Sequence, residues 1–191
     1  MLHSKSLASS ERSGASQGYA EIVSMHGVRY FEENIPMIIL KCKDEEASVR
    51  ESFRSVLLFL ATSFDQFVKY LPTLLPIMIE GLSDDVEEVK KISLRNVKIC
   101  IKQFGRQAPG QLVDPIKKMM FDKDFRVRSS SSILMYQLVK ELENDIIKSQ
   151  PKYLTNETKN EILSAMFILK YDTIEKVAIQ ASQIWKNIID N

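Results

Sequence analysis

Glycine is scarce in this chain, at six residues among 191. An all-β fold draws heavily on glycine at its tight turns, and aromatic side chains, which strands favour, make up only 8%. The abundance of Leu, Ile, Lys and Glu points instead to helices. Cysteine is scarcer still. Cys42 and Cys100 have no second cysteine or histidine at metal-ligand spacing, so both read as reduced, buried, structural thiols, with a disulfide left open by the sequence. The two histidines, His3 and His26, belong to no HExxH, nucleophile-elbow or GxGxxG pattern. Lone acids such as Glu32, Glu33 and Glu46 form no paired-carboxylate pattern and read as solvated surface. The expectation is a protein without catalytic, cofactor-binding or metal-binding residues and without a small-molecule substrate.

Long apolar runs are missing too. The longest, "VLLFLA" and "LLPIMI", fall far short of the roughly 18 residues a membrane span needs, so no membrane partner is expected. The polar start "MLHSKSLASSERSGAS" lacks the apolar centre of a signal peptide, which leaves the cytoplasm as the expected location. There the sequon "NET" at Asn156 would not be glycosylated. A formal net charge of +1 argues against attachment to nucleic acid or membrane by bulk electrostatics; any such contact has to be local. At 45% hydrophobic and 27% charged, the chain is ordinary globular material for one domain.

What is present is a repeat. "DEEASVR" from Asp44, "DDVEEVK" from Asp84, "DKDFRVR" from Asp122 and "DTIEKVA" from Asp172 share an aspartate followed five positions on by valine. In the first three a basic residue comes next. The aspartates are 40, 38 and 50 residues apart, a period of helical-pair repeats with one longer loop. Before each aspartate runs an apolar segment, with Pro36, Pro76 and Pro115 at nearly the same offset and Ser164 in the fourth copy; a proline there should bend the first helix of each pair. The aspartate is expected to accept from free amides at the start of the second helix, and the valine to point inward. From Val49 the apolar series runs through Phe53, Val56, Leu57 and Leu60. From Val127 it runs through Leu134, Leu138, Val139 and Leu142, and from Val177 through Ala181, Ile184, Trp185, Ile188 and Ile189.

These features predict an all-α solenoid of about four and a half helical hairpins spanning residues 1–191, with a half-repeat at 1–27 and repeats at about 28–64, 65–106, 107–148 and 155–190. The half-repeat predicts that the chain is one part of a longer array. In it, Gly14 and Gly18 stand four apart; a close helix crossing explains the spacing better than a membrane dimer face. "ENDIIKSQPKYLTNETKN", polar and holding Pro151, reads as a flexible loop. The run Ser129 to Ser132 reads as small residues packed on a second helix rather than as phosphorylation sites, and Trp185 as structural.

Proline, then aspartate, then valine with arginine or lysine resembles the HEAT repeat. That resemblance implies a ladder between successive repeats built from Asp44 with Arg50, Asp84 with Lys90, and Asp122 with Arg128; Ala178 interrupts it in the last copy. In order, "RSGASQGYAEIV", "VRESFRSVLLFLATSF", "LPIMIEGLSDDVEEVKKISLR", "FDKDFRVRSSSSILMYQLV" and "NEILSAMFILKYDTIEKVAIQASQIWKNII" resemble a central stretch of the general control non-derepressible translational activators. These are very large HEAT-repeat proteins. The resemblance implies a non-enzymatic scaffold that binds ribosomes, through rRNA or a ribosomal protein, and serves the general-control kinase pathway in amino-acid starvation. It does not carry direct kinase binding to this stretch, and the loop before Asn160 is shorter than in the family. A HEAT adaptor of the nuclear-transport or phosphatase-scaffold kind is the alternative; an enzyme would need a polar constellation that the sequence lacks.

One segment carries a local charge pattern. In "VKKISLRNVKICIKQFGRQ", at about 100° per residue, Lys91, Arg95, Lys98, Lys102 and Arg106 fall within roughly 80° of arc, opposite Val89, Val97, Cys100 and Phe104. Second helices of HEAT repeats line the concave side, so the stripe suits ribosomal RNA phosphates or an acidic protein surface. It also suits a simple solvated face, with Asp84, Asp85, Glu87 and Glu88 at the other end of the helix dipole.

Overall fold

The computed structural model describes residues 9–143 and 155–189. Among them are eight α-helices and no strand: α1 (Ser9–Lys41), α2 (Ala47–Ser63), α3 (Leu71–Glu80), α4 (Glu87–Phe104), α5 (Pro109–Met119), α6 (Phe125–Glu143), α7 (Asn156–Leu169) and α8 (Glu175–Ile189). The fold class is all-α, built of paired helices of the α-solenoid kind. Two compact units divide the chain, Met1–Cys100 and Ile101–Asn191, with the division inside α4.

In the first unit, α1 is two helical segments, 9–26 and 28–41, joined at Gly27 with φ +80° and ψ −168°. That backbone region is open almost only to glycine. The turn lets the segments meet again: Tyr19 Oη donates to Asn34 Oδ1 at 2.7 Å although 15 residues separate them. The expected close crossing at Gly14 and Gly18 is not formed, since a Cβ at either would touch nothing within 4 Å. The buried edge of this helix is Ser16, Ala20 and Val23 instead, and Ser16 Oγ donates to the Ser52 carbonyl of α2 at 2.9 Å. A small polar residue, not glycine, makes the approach. Beyond it, Phe31 is fully buried and packs edge-on against Phe64 and Tyr70, each at 4.9 Å between ring centroids.

In the second unit, α5 packs on α6, α7 on α8, and α6 on α8. Ser131 and Ser132 of α6 are fully buried, and Gln180 of α8 donates to the Ser129 carbonyl at 2.7 Å while accepting from Ser129 Oγ at 3.0 Å. The serine run thus carries a polar seam between second helices. Ile184 and Ile188 are buried, but Trp185 is half-exposed and Ile189 is 54% exposed, so the inward series of α8 is narrower than its spacing suggests. Residues 144–154 of the expected loop, and His3, lie outside the described residues. Its last part, 156–160, is helical, because Thr155 caps α7 by accepting from the Thr158 amide at 3.1 Å. Pro36, Pro76 and Pro115 all lie inside first helices.

All four turn valines are buried, at 4% exposure or less. Each turn aspartate accepts an amide two residues on, at Glu46, Val86, Asp124 and Ile174, with distances of 2.8–3.0 Å. Those residues stand just before their helices. The aspartate therefore closes an Asx-turn ahead of the helix rather than capping its first amides.

Across turns, arginine does the joining. Arg50 Nε and Nη2 each donate to the Asp84 carboxylate at 2.8 Å, and Nη1 donates to its own turn's carbonyls at Asp44 and Glu45, each at 2.9 Å. Arg128 repeats this in the second unit, donating to Asp172 at 2.5 and 2.8 Å and to the Asp122 and Lys123 carbonyls at 2.8 and 3.1 Å. Each rung therefore links an arginine to the aspartate of the following turn. Asp172 takes part as acceptor although Ala178 offers no cation of its own. Lys90 pairs with Glu87 at 3.0 Å, and Asp44 with Lys41 at 2.9 Å, each within its own turn.

Burial pushes the Asp84 carboxyl up, but the Arg50 hydrogen bonds, the Val86 amide and the nearby guanidinium charges outweigh it and hold it below the ordinary value. At Asp172 the Arg128 hydrogen bonds dominate and likewise hold it low. A carboxyl depressed in the folded state stabilises the fold above its unfolded value of about 3.9, and that stability is lost as pH falls through the folded value. Asp84→Asn and Asp172→Asn keep the Asx-turn but lose the charged acceptor, so each should cost about 1–3 kcal/mol in urea melts at neutral pH. The gap to wild type should close as the pH is taken below about 4; a gap that persists undiminished would remove the rung as its source.

The turn at residue 27 gives a second expectation. Gly27→Ala should cost about 1–3 kcal/mol from backbone strain alone, whereas Gly14→Ala, in open space on the same helix, should be neutral or stabilise by up to about 1 kcal/mol. Equal chemical melts for the two variants would show that the turn tolerates a side chain.

Candidate nucleic-acid interface

Helix α4 opens with Glu87 and Glu88 and has Lys102 in its last turn, the order that complements a helix dipole. Its inner side is set by Val89, Val97, Cys100 and Phe104, all buried, along with two polar residues, Ser93 and Asn96. Ser93 Oγ turns back to the Val89 carbonyl at 2.7 Å, and Asn96 Nδ2 reaches the Arg54 carbonyl of α2 at 2.9 Å. With that side fixed, the outer side follows from helical spacing. Lys91, Arg95 and Lys102 are exposed and Lys98 is half-exposed. None of the four makes an ion pair with a described residue. Their charges therefore face outward with no carboxylate of a described residue at ion-pair distance.

Arg106 stands apart from these four. The helix ends at Phe104, and the Gly105 amide closes on the Ile101 carbonyl at 2.8 Å. Arg106 then lies in the following turn, where Nε donates to the Glu141 carbonyl at 3.3 Å and Nη2 is 3.9 Å from the Glu141 carboxylate. It is held against α6, whereas the other four keep their charges free. Chemically, the four on α4 can meet a row of phosphates or carboxylates. No aromatic side chain interleaves them for base stacking, so the face suits backbone contact without sequence readout.

Arg54 carries little signal in the amino-acid pattern. It is 2% exposed, and its guanidinium donates to the Ile77 carbonyl at 2.5 Å and the Cys42 carbonyl at 3.2 Å. Burial lowers its affinity for its proton. Gly81 makes room for it, since a Cβ there would overlap Arg54 and Ser93 Oγ. The one sequence signal for Arg54 is its place four residues after Arg50, between the apolar positions Phe53 and Val56. Beside it, Cys42 is a free, buried thiol pushed up to about 12 by burial, as is Cys100, which lies 3.6 Å from Met78 Sδ. Neither can act as a nucleophile near neutral pH. Among the described residues, no group of three His, Cys, Asp or Glu is placed to hold a metal, and no helix is long and apolar enough to cross a membrane.

No protein-family profile matches the chain. Two engineered proteins of known structure overlay on it at a TM-score of 0.43 with 13% and 14% identity, too distant to carry an argument. Among curated proteins, the chain is 27% identical over 200 residues to the eIF-2-alpha kinase activator GCN1 of Saccharomyces cerevisiae, and 27% identical to the protein of the same name in Dictyostelium discoideum. The stalled ribosome sensor GCN1 of Homo sapiens is 27% identical over 207 residues. Over 95–96% of its own length, then, the chain is similar to a stretch that makes up 8% of a GCN1 protein.

Proposed function

We propose that this chain is a non-enzymatic HEAT-repeat scaffold segment of a translational regulator, and that it docks on the ribosome through the basic face of α4 in support of general-control kinase activation during amino-acid starvation. The cytoplasm is the compartment this role requires. Two lines support the reading. The relatives are named for kinase activation and for sensing stalled ribosomes. The observation that carries it to a site is that Lys91, Arg95, Lys98 and Lys102 lie opposite the buried side of α4, with no ion pair to a described residue. A chain of net charge +1 gains little from bulk attraction, so a phosphate contact has to come from such a local row. No direct kinase contact is proposed for this stretch.

Charge reversal of all four to glutamate should weaken co-sedimentation with ribosomes while the circular dichroism spectrum and melting temperature stay near wild type, because the row takes no part in packing. Wild-type binding should also weaken with salt, each neutralised phosphate adding a slope of roughly −0.7 to −0.9 in log affinity against log salt. Equal sedimentation of the reversed variant and wild type across a salt series would refute the contact.

A further inference from the structure

In the second unit the first helices of successive hairpins, α5 and α7, leave a groove of about 800 Å³ between them. Its apolar surface comes from Phe121, Ala165 and Ile168, and two of these large side chains are unusually bare: Phe121 is 53% and Ile168 56% exposed. Its edge is acidic. Glu157 and Glu161 line it, and Lys117 is the one cation among the described lining residues. Lys117 is already engaged, 2.6 Å from Glu161 and 3.5 Å from Asp114. Two lining carboxylates thus stand against one ammonium, which Asp114 outside the groove also partly neutralises.

The first unit shows the same pair of layers closed. There Tyr70, just before α3, donates to Glu32 at 2.8 Å, and Lys43, in the turn after the 28–41 segment, pairs with Glu80 at 2.7 Å, so the two layers are tied at two separate levels. Between α5 and α7 the only such tie among the described residues is Lys117 to Glu161.

We propose that this groove is a docking site for a basic amphipathic helix of a partner protein. Such a helix sets apolar side chains three and four residues apart along one face, which suits an apolar floor running between two helices. Its lysines or arginines would meet Glu157 and Glu161 at the edge. Charge favours this class over others: phosphates of RNA and the anionic surface of a membrane would both meet carboxylates. The site is independent of the α4 contact, being built from other helices and of opposite sign, so either can fail without the other.

The test uses the whole chain and a fluorescent peptide of about 14 residues, some four helical turns, made of leucine and lysine in amphipathic order. A leucine and glutamate peptide of the same pattern serves as the counterpart. By fluorescence anisotropy the lysine peptide should bind at least about tenfold tighter than its counterpart, and Phe121→Ser with Ile168→Ser, or Glu157→Lys with Glu161→Gln, should each weaken it about tenfold or more. These positions are exposed, and unchanged melting temperatures would confirm that the variants fold. Ile22→Ser with Met25→Ser removes exposed apolar surface from the first unit and should leave binding as in wild type. The proposal is overturned if the lysine peptide does not bind, if both peptides bind alike, or if the control pair weakens binding as much as the groove pair. Concentration-dependent dimers that vanish in the Phe121 and Ile168 variant would overturn it too, by assigning the groove to a second copy of the chain.

Discussion

The bidentate contact between an arginine and the aspartate one turn further along is the constraint on which the rest depends. Exposed ion pairs contribute little, because water screens them and two long side chains must be ordered. These pairs differ. The side chains of Arg50 and Asp84 are 17% and 10% exposed, and those of Arg128 and Asp172 are 13% and 6% exposed. Taking such charges out of water is favourable only when their hydrogen-bonding groups are met. Here they are: each guanidinium spends donors on two carbonyls of its own turn and two carboxylate oxygens of the next, and each of those carboxylates also closes an Asx-turn. Turn shape and hairpin stacking therefore rest on the same atoms, and one cannot be distorted without loosening the other.

Arg54 shows what happens when a guanidinium is buried without a carboxylate. It sits one helical turn beyond Arg50 on α2, yet its partners are carbonyls near the ends of two different first helices, Cys42 after α1 and Ile77 in α3, and its Nε has no hydrogen-bond partner among the described residues. Carbonyl dipoles hold a positive charge less strongly than a carboxylate does, which is why burial dominates its proton affinity. The same layer holds Asn96, whose Oδ1 is also unmet while its amide reaches the Arg54 carbonyl. A charge in that layer constrains where the ends of the first helices fall, since their carbonyls are the acceptors it meets.

How much of this was legible depends on whether a residue's environment is set locally. The turn valines and the apolar series of α2 and α6 were readable because helical periodicity alone puts them inward. The repeat frame marked Asp84 and Asp172, although the direction of the rungs, each arginine reaching forward to the next turn, needs the stacked hairpins to be seen. Gly27 was not readable, for a glycine inside an apparently continuous helical pattern looks like any other until its φ is known. Gly14 and Gly18 invited a crossing that Ser16 makes. On the candidate face, Lys91, Arg95, Lys98 and Lys102 share one side of α4 as their spacing implies. Arg106 leaves that series because the helix stops two residues before it, and helix ends are the least readable part of a sequence.

A chain with nearly balanced charge can still present a strong field if its charges are sorted. The second helix of one pair shows four cations to solvent, and the first helix of the last pair sets Glu157 and Glu161 along a bare apolar groove. Helical hairpins favour this sorting, since each helix has one buried side and its outer side is free to take any charge without disturbing the core. The rungs leave that freedom intact because they act at the turns. Function in such a fold is therefore a property of helix faces between turns, where sequence can change sign while the Asp–Arg contacts keep the register of the hairpins within each unit.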